Sequence, residues 1–196
     1  MINKQQRLIL ASSSKYRQAL LARLGLSFES IAPEIDEKGL PNESPKELVQ
    51  RLALSKAEII SDQYGDAIVI GSDQVAVYDN QIIGKPGTYN KALQQLKKFS
   101  GNQVIFLTAV ALVCHSSQFK EIAISKVIVN FKVLEDKQIK NYLLHDKPYD
   151  CAGSFKIESM GVSLFESVCS DDPTSLEGLP LIIVCNLLHR AGIEII

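Results

Sequence analysis

Four short segments of the chain place hydroxyl, carboxylate or cationic side chains where an apolar core would not ask for them. The first is Ser12-Ser13-Ser14-Lys15-Tyr16-Arg17, which follows an apolar run and opens a helical pattern. Free backbone N–H groups and the positive end of a helix dipole suit such a junction to phosphate. Arg17, in the first turn, adds a guanidinium able to grip two phosphate oxygens; the plainer reading is a serine cap beside a solvated arginine. The second segment, Glu34-Ile35-Asp36-Glu37, sets three carboxylates in a loop. Oxygen donors of this kind suit Mg²⁺, which keeps several of its waters, although a solvated acidic turn has the same composition. The third is Asp73, with Gln74 beside it, just beyond the apolar stretch AIVIG. In open α/β sheets, ligands gather outside the carboxyl ends of strands. Lys85, in Gly84-Lys85-Pro86, and Lys56, on a long helix, are cations that could meet phosphate or simply face water. The fourth segment is AGSFKIE at 152–158, whose small residues allow a ligand to approach the backbone closely. There Glu158 could face a ligand or pair with Lys156.

The elements that must hold these residues alternate between strand and helix, which points to an α/β layer architecture. Residues 7–11 (RLILA) read as a short buried strand, followed through the serines by a helix, and 27–32 as a second strand. Ser44-Pro45-Lys46-Glu47 is a strong helix start: Ser44 caps, Pro45 suits the first helical position and Glu47 completes a capping box. That helix runs towards Ser61. Residues 67–71 should form a central strand ending at Ser72-Asp73-Gln74, followed by a hairpin with its turn at Asp79-Asn80. A helix at 88–99 is stopped by Ser100-Gly101. Long strands at 104–114 and 121–133, a helix at 135–145, a strand near 161–166, a loop at 171–178 and a helix at about 181–190 complete the pattern.

With 196 residues, 46% of them hydrophobic, the chain can bury a sizeable core as one domain over 1–196, or as two closely joined lobes. A net charge of −1 with interspersed signs argues against a nucleic-acid coat or a membrane-surface protein. Cys114, Cys151, Cys169 and Cys185 form no CxxC pair, and Met1 to Gln6 do not read as a signal peptide. Free thiols in a reducing cytoplasm are therefore expected. No apolar run approaches the length of a spanning helix. Phosphate-loop, dinucleotide-binding and HExxH motifs are absent, and His115, His145 and His189 mark no site.

Taken together, LILASSSKYRQALL, EIDE, RLALSKA, IGSDQVAVYDNQIIGKP, CAGSFKIES and DDPTSLEGLPL resemble, in order and over almost the whole chain, the Maf family of nucleotide pyrophosphatases. The wording is closest to its 7-methyl-GTP subgroup, in which GSDQ and CAGSFK-x-E replace G-A-D-T and a version ending in glutamine. The resemblance implies an α/β, anvil-like fold with a twisted mixed central sheet, flanking helices and a deep cleft between two lobes. It also implies a divalent cation (Mg or Mn) and hydrolysis between the α- and β-phosphates of a nucleoside triphosphate, a house-cleaning of modified nucleotides.

By motif position, Asp73 resembles the catalytic base. Ser12, Arg17, Lys56 and Lys85 resemble phosphate-binding residues, and Glu37 with Asp73 resembles the metal-binding pair. Tyr16, Gln74 and Glu158 match positions linked to base selection. Lys15 stands where proline is common, Tyr16 where the subgroup often has tryptophan, and Val104 where many relatives have histidine. Base and metal ligand are competing roles for Asp73, and the spacing does not separate them. The same chemistry on dTTP, UTP or another modified nucleotide is one rival reading; a non-catalytic nucleotide-binding regulator of septum formation is another. A homodimer is compatible with the resemblance, but no interface is legible.

Overall fold

The computed structural model describes residues 6–196. Met1 to Gln5, on which most of the reading of a missing leader rests, lie outside this range. The described chain forms β1 (Leu8–Leu10), α1 (Lys15–Ala22), β2 (Glu29–Ser30), α2 (Pro45–Ser61), β3 (Ile68–Tyr78), β4 (Gln81–Ile83) and α3 (Tyr89–Phe99). It continues through β5 (Gln103–Cys114), β6 (Phe119–Phe131), α4 (Asp136–Asp146), β7 (Phe165–Cys169) and α5 (Leu181–Arg190). Among the described residues the strands form one mixed sheet in the order β2-β1-β3-β5-β6-β7, with β4 paired to β3. This is the mixed α/β architecture that the alternation of elements implied.

Two compact units divide the chain. Among the described residues the first comprises 6–73, 108–125 and 172–196; the second, 74–107 and 126–171. In the first unit, β1 runs parallel to both β2 and β3, with Leu8, Ile9 and Leu10 opposite Ile68, Val69 and Ile70. Its core joins Leu8, Leu10, Ile68 and Ile70 to Leu20 and Leu21 of α1, Val110 and Leu112 of β5, and Val184, Leu187 and Leu188 of α5. In the second unit, β3 and β4 form the expected hairpin, with Asp79 and Asn80 both at positive φ. Its core is aromatic: Phe131 packs against Phe99, Phe155 and Phe165 at centroid distances of 5.0–6.0 Å. All four cysteines are free thiols. No described helix is long and apolar enough to cross a membrane.

Three expectations need correction. β3 does not end at Ser72-Asp73-Gln74 but runs on to Tyr78, so Asp73 lies within the strand. The apolar run stops at Gly71, but the backbone stays extended because Ala76–Tyr78 pair with β4. The strand expected near 161–166 is a 3₁₀ turn at Met160–Leu164 followed by β7. Gly161 donates back to the carbonyl of Lys156, which curls the chain before pairing with β6 begins at Phe165. The second strand is also shorter than expected, only two residues long.

The helix starts obey local chemistry. Ser44 and Glu47 make the reciprocal capping box, with Pro45 in the first turn. Ser14 and Thr88 cap α1 and α3. Helix α2 lies directly against β3 at Gly71. A Cβ on Gly71 would stand 2.1 Å from the carbonyl oxygen of Ala53 and 3.0 Å from the Cβ of Ala57. Backbone cannot yield there without lifting the helix off the strand. Gly71→Ala is therefore expected to cost roughly 1–3 kcal/mol of stability through overpacking. Urea denaturation checks this, and a variant as stable as the parent would show that this contact does not fix the helix.

Candidate active site

Residues two apart on a strand share a face, and residues three and four apart on a helix share another. Gly71 and Asp73 therefore face the same way from β3, while Ala53, Lys56 and Ala57 lie together on α2. The close approach at Gly71 brings the ammonium of Lys56 to 2.7 Å from Asp73 Oδ1. The same nitrogen lies 2.6 Å from Glu37 Oε1. Lys56 is only 5% exposed and Asp73 8%, so this pair is withdrawn from water, whereas the Glu37 side chain is 59% exposed. A solvated lysine face on α2, the plainer reading of Lys56, is thus excluded.

The acidic loop divides its carboxylates. Asp36 accepts the Lys38 N–H in a local turn, and only Glu37 reaches Lys56. Arg51 anchors the stretch of chain between this loop and α2: its guanidinium binds both Glu43 oxygens and the carbonyl of Lys38. That hydrogen-bonded pair holds the Glu43 carboxyl at about 2, well below the usual carboxylate range.

At the first helix the hydroxyls are engaged with the backbone. Ser12 Oγ accepts the Ser14 N–H at 3.1 Å, and Ser14 Oγ accepts the Arg17 N–H. Ser30 Oγ donates to the Ser12 carbonyl at 2.6 Å. Arg17 is not a solvated arginine: its Nε donates to the carbonyl of Gly178 at 2.9 Å. Burial lowers the pKa of its guanidinium, while the charges of Asp73 and Glu37 pull it back up. It keeps its proton at any working pH. Tyr16 is half-buried in the first turn of α1.

Sequence reasoning gave no role to Gly178, the common acceptor. Its carbonyl also takes the Ser72 hydroxyl at 3.2 Å, from the opposite face of β3 to Asp73. The loop is caged by Asp172, whose Oδ1 accepts from the Thr174 backbone and hydroxyl and whose Oδ2 accepts the Ile182 N–H of α5. Thr174 in turn bridges to the carbonyl of Leu179 and the N–H of Leu181. Thr108 and Ser125 hold Ser175 from β5 and β6. The DDPTSLEGLPL motif thus delivers one backbone carbonyl to Arg17.

In the second unit, Gln74 is half-buried in β3, and Lys85 and Glu158 are exposed. The Lys85 turn is held by Gln95, whose amide donates to the Gly84 carbonyl at 3.0 Å, and by the Gly87 N–H, which donates to Tyr149 at 2.8 Å. The Ser154 hydroxyl donates to the other end of the same Gln95 amide. Gln95 therefore ties the Lys85 turn to the segment that leads to Glu158. A neutral amide on a polar helix face gave no signal in the sequence.

Asp73 and Glu37 offer hard oxygen donors, both within hydrogen-bond reach of one nitrogen. No group of three or more His, Cys, Asp or Glu side chains among the described residues could hold a metal by itself. One or two carboxylates completed by waters and substrate phosphates is how Mg²⁺ is commonly bound. The donors fit a cation that arrives with a polyphosphate, and they do not form a cage of protein ligands.

A Maf-like protein family model matches residues 7–191. The chain belongs to the Maf-like family. Among Maf-like relatives, a 7-methyl-GTP pyrophosphatase of Pseudomonas aeruginosa is 50% identical over 96% of this chain and 98% of its own length. One from Albidiferax ferrireducens is 46% identical over 98% and 96%. In fold, this Maf-like chain resembles a HAM1 protein from Coxiella burnetii, with a TM-score of 0.53 at 13% identity over 94% of this chain and 99% of that one. The Ham1 protein of Staphylococcus aureus gives 0.53 at 11% over 95% and 99%.

The buried part of the Lys56–Asp73 pair has an energetic consequence. Truncating Lys56 to methionine would leave the Asp73 carboxylate buried without its cation, at a cost of roughly 3 kcal/mol. The double variant Lys56→Met/Asp73→Asn should regain a large part of that loss. Denaturant titration of the single and double variants tests this; additive losses would show that the two charges are not coupled.

Proposed function

We propose that the chain is a nucleoside triphosphate pyrophosphatase that hydrolyses the α–β phosphate bond of 7-methyl-GTP to 7-methyl-GMP and pyrophosphate. The observation that carries this reading is the cluster of Asp73, Glu37 and Lys56, with Arg17 within reach of the field of both carboxylates. The names and high identity of the Maf-like relatives support the substrate. Residues 1–196 act in this reading as one functional domain, since the family match draws on both compact units. A cytoplasmic location and clearance of a modified nucleotide belong to the same reading.

Hydrolysis requires water to attack a phosphorus shielded by several negative charges, so catalysis rests on positioning and charge neutralisation. Asp73 is assigned as the base that orients the water and takes its proton as the α–β P–O bond breaks and pyrophosphate departs. Burial beside Lys56 keeps this carboxylate in a fixed direction. Arg17, Lys56 and Lys85 neutralise the phosphates, and Ser12 adds a hydroxyl. A divalent cation held by Glu37, and by Asp73 where that carboxylate serves as ligand in place of base, would supply further neutralisation of the phosphate oxygens. Arg17 is suited to its part because the Gly178 carbonyl fixes Nε and leaves the terminal nitrogens of the guanidinium to grip oxygen.

Base choice is assigned to Tyr16, Gln74 and Glu158. Methylation at N7 gives the purine a positive charge. An aromatic face such as Tyr16 gains about 0.5–2 kcal/mol from stacking on a cation. The Glu158 carboxylate can accept from the N1–H and amino group of guanine, and its charge favours the cationic base over the neutral one.

The direct assay is pyrophosphate release from a panel of triphosphates, with and without Mg²⁺ or Mn²⁺. The highest kcat/KM is expected for 7-methyl-GTP with metal. Faster turnover of dTTP or UTP would move the substrate, and binding without release would make the protein a regulator. Asp73→Asn should lower kcat by roughly 10²–10⁴-fold with a native circular dichroism spectrum; near-normal turnover would remove Asp73 from the chemistry. Glu158→Gln should lower the ratio of kcat/KM for 7-methyl-GTP over GTP, and an unchanged ratio would refute the assignment of the base.

A further inference from the structure

We infer that Asp146 and Ser159 are positioning residues for nucleobase selection, acting through the turn that carries Glu158; this rests on the reading of Glu158 as the base-recognising residue. Glu158 lies in a tight turn at 157–159 in the second unit. The turn closes on the carbonyl of Lys156, which accepts the N–H groups of Ser159 at 3.3 Å and of Gly161 at 3.0 Å. The closure is so close that a Cβ on Gly161 would lie 2.2 Å from that oxygen, so only glycine fits.

Both flanks of the turn are tied to one face of α4. The Lys156 N–H donates to the Tyr142 hydroxyl at 2.9 Å, and the Ser159 hydroxyl donates to Asp146 Oδ1 at 2.8 Å. Tyr142 and Asp146 are four residues apart, hence neighbours on the helix surface, and both are buried. Glu158 is thus held between two anchors, three residues apart in the chain, that share a single rigid support.

The Asp146 side chain is only 2% exposed. Burial alone would push its pKa up, but the hydrogen bonds of His145 and Ser159 to Oδ1, with the nearby Tyr142 hydroxyl, outweigh burial and hold it below the ordinary carboxylate value. Its second oxygen, Oδ2, is buried without a hydrogen-bond partner. The fold therefore favours the ionised carboxylate, although its unpaired oxygen offsets part of that gain. What the carboxylate supplies is a strong, charge-assisted acceptor for Ser159. Discrimination between a cationic and a neutral base depends on keeping the Glu158 carboxylate at hydrogen-bond distance, and a turn loosened by an ångström would let it turn to water.

The test measures kcat and KM for 7-methyl-GTP and GTP in the wild type and in Ser159→Ala, Ser159→Thr, Asp146→Asn and Glu158→Gln. Ser159 is exposed, so its alanine variant should fold even if the Asp146 variant does not. The selectivity ratio is expected to fall about fivefold in Ser159→Ala, the size of one hydrogen bond, mainly through KM for 7-methyl-GTP. Threonine, which keeps the hydroxyl, should restore it, and Ser159→Ala should add nothing in the Glu158→Gln background. A purely structural role would lower both substrates together. The inference is overturned if Ser159→Ala leaves the ratio unchanged while Glu158→Gln lowers it. If Glu158→Gln also leaves the ratio unchanged, the assignment of the base fails, and the inference with it.

Discussion

A buried ammonium must find anionic partners or lose its charge, and in this protein that demand organises the first compact unit. Lys56 can meet Asp73 only because Gly71, Ala53 and Ala57 let α2 lie against β3 at backbone distance. The three small residues and the two charged ones form one device. The small residues set the separation, and the strand and helix periods then place the ammonium and carboxylate opposite each other. Glu37 joins from a loop whose neighbouring residue Lys38 is locked by Arg51, so that even the exposed member of the cluster is anchored near its position. The other face of β3 is fixed independently, by the Ser72 hydroxyl on Gly178. Asp73 therefore sits on a strand restrained from both sides.

Much of this frame was legible in the sequence because it arises from local rules. The Ser44–Glu47 capping box, the Asp79-Asn80 hairpin turn and the amphipathic pattern before Ser100-Gly101 each have a short-range cause, and each appears as expected. The extent of β3 was not legible. Hydrophobicity ends at Gly71 while pairing with β4 continues to Tyr78, and pairing depends on a partner that the strand's own residues do not name. The stretch at 161–166 misled for the opposite reason. Its apolar residues suggest a strand, but the bond from Gly161 back to Lys156 curls the first part before the sheet can take it.

The candidate site divides in the same way. Charged residues such as Arg17, Lys56, Lys85 and Asp73 attract notice because their types are suited to phosphate chemistry. Their supports do not. Gly178 acts through a backbone carbonyl, Asp172 and Thr174 by caging a loop, and Gln95 by bridging two segments with one neutral amide. The contacts of Gly178 with Arg17 and of Gln95 with Ser154 join residues far apart in sequence, those of Asp172 and Thr174 are local, and side-chain type alone carries no sign of either. Of three neighbouring carboxylates in the acidic loop, composition could not say that Glu37 would face Lys56 while Asp36 turned to its own backbone.

The two kinds of support also differ in how freely they can change. In the first unit several polar groups serve more than one partner: Lys56 meets two carboxylates, Gly178 takes two donors and Asp172 takes three. Replacing Lys56 or Asp172 strands a buried group, which is costly. Glu158, by contrast, is exposed on a turn whose shape is set by its neighbours and by α4, not by its own side chain. A residue so placed can be exchanged without disturbing the buried ion pair. In the proposed reading, the cluster assigned to hydrolysis can therefore stay fixed while the residue assigned to the base varies, because the energetic constraints fall on different atoms.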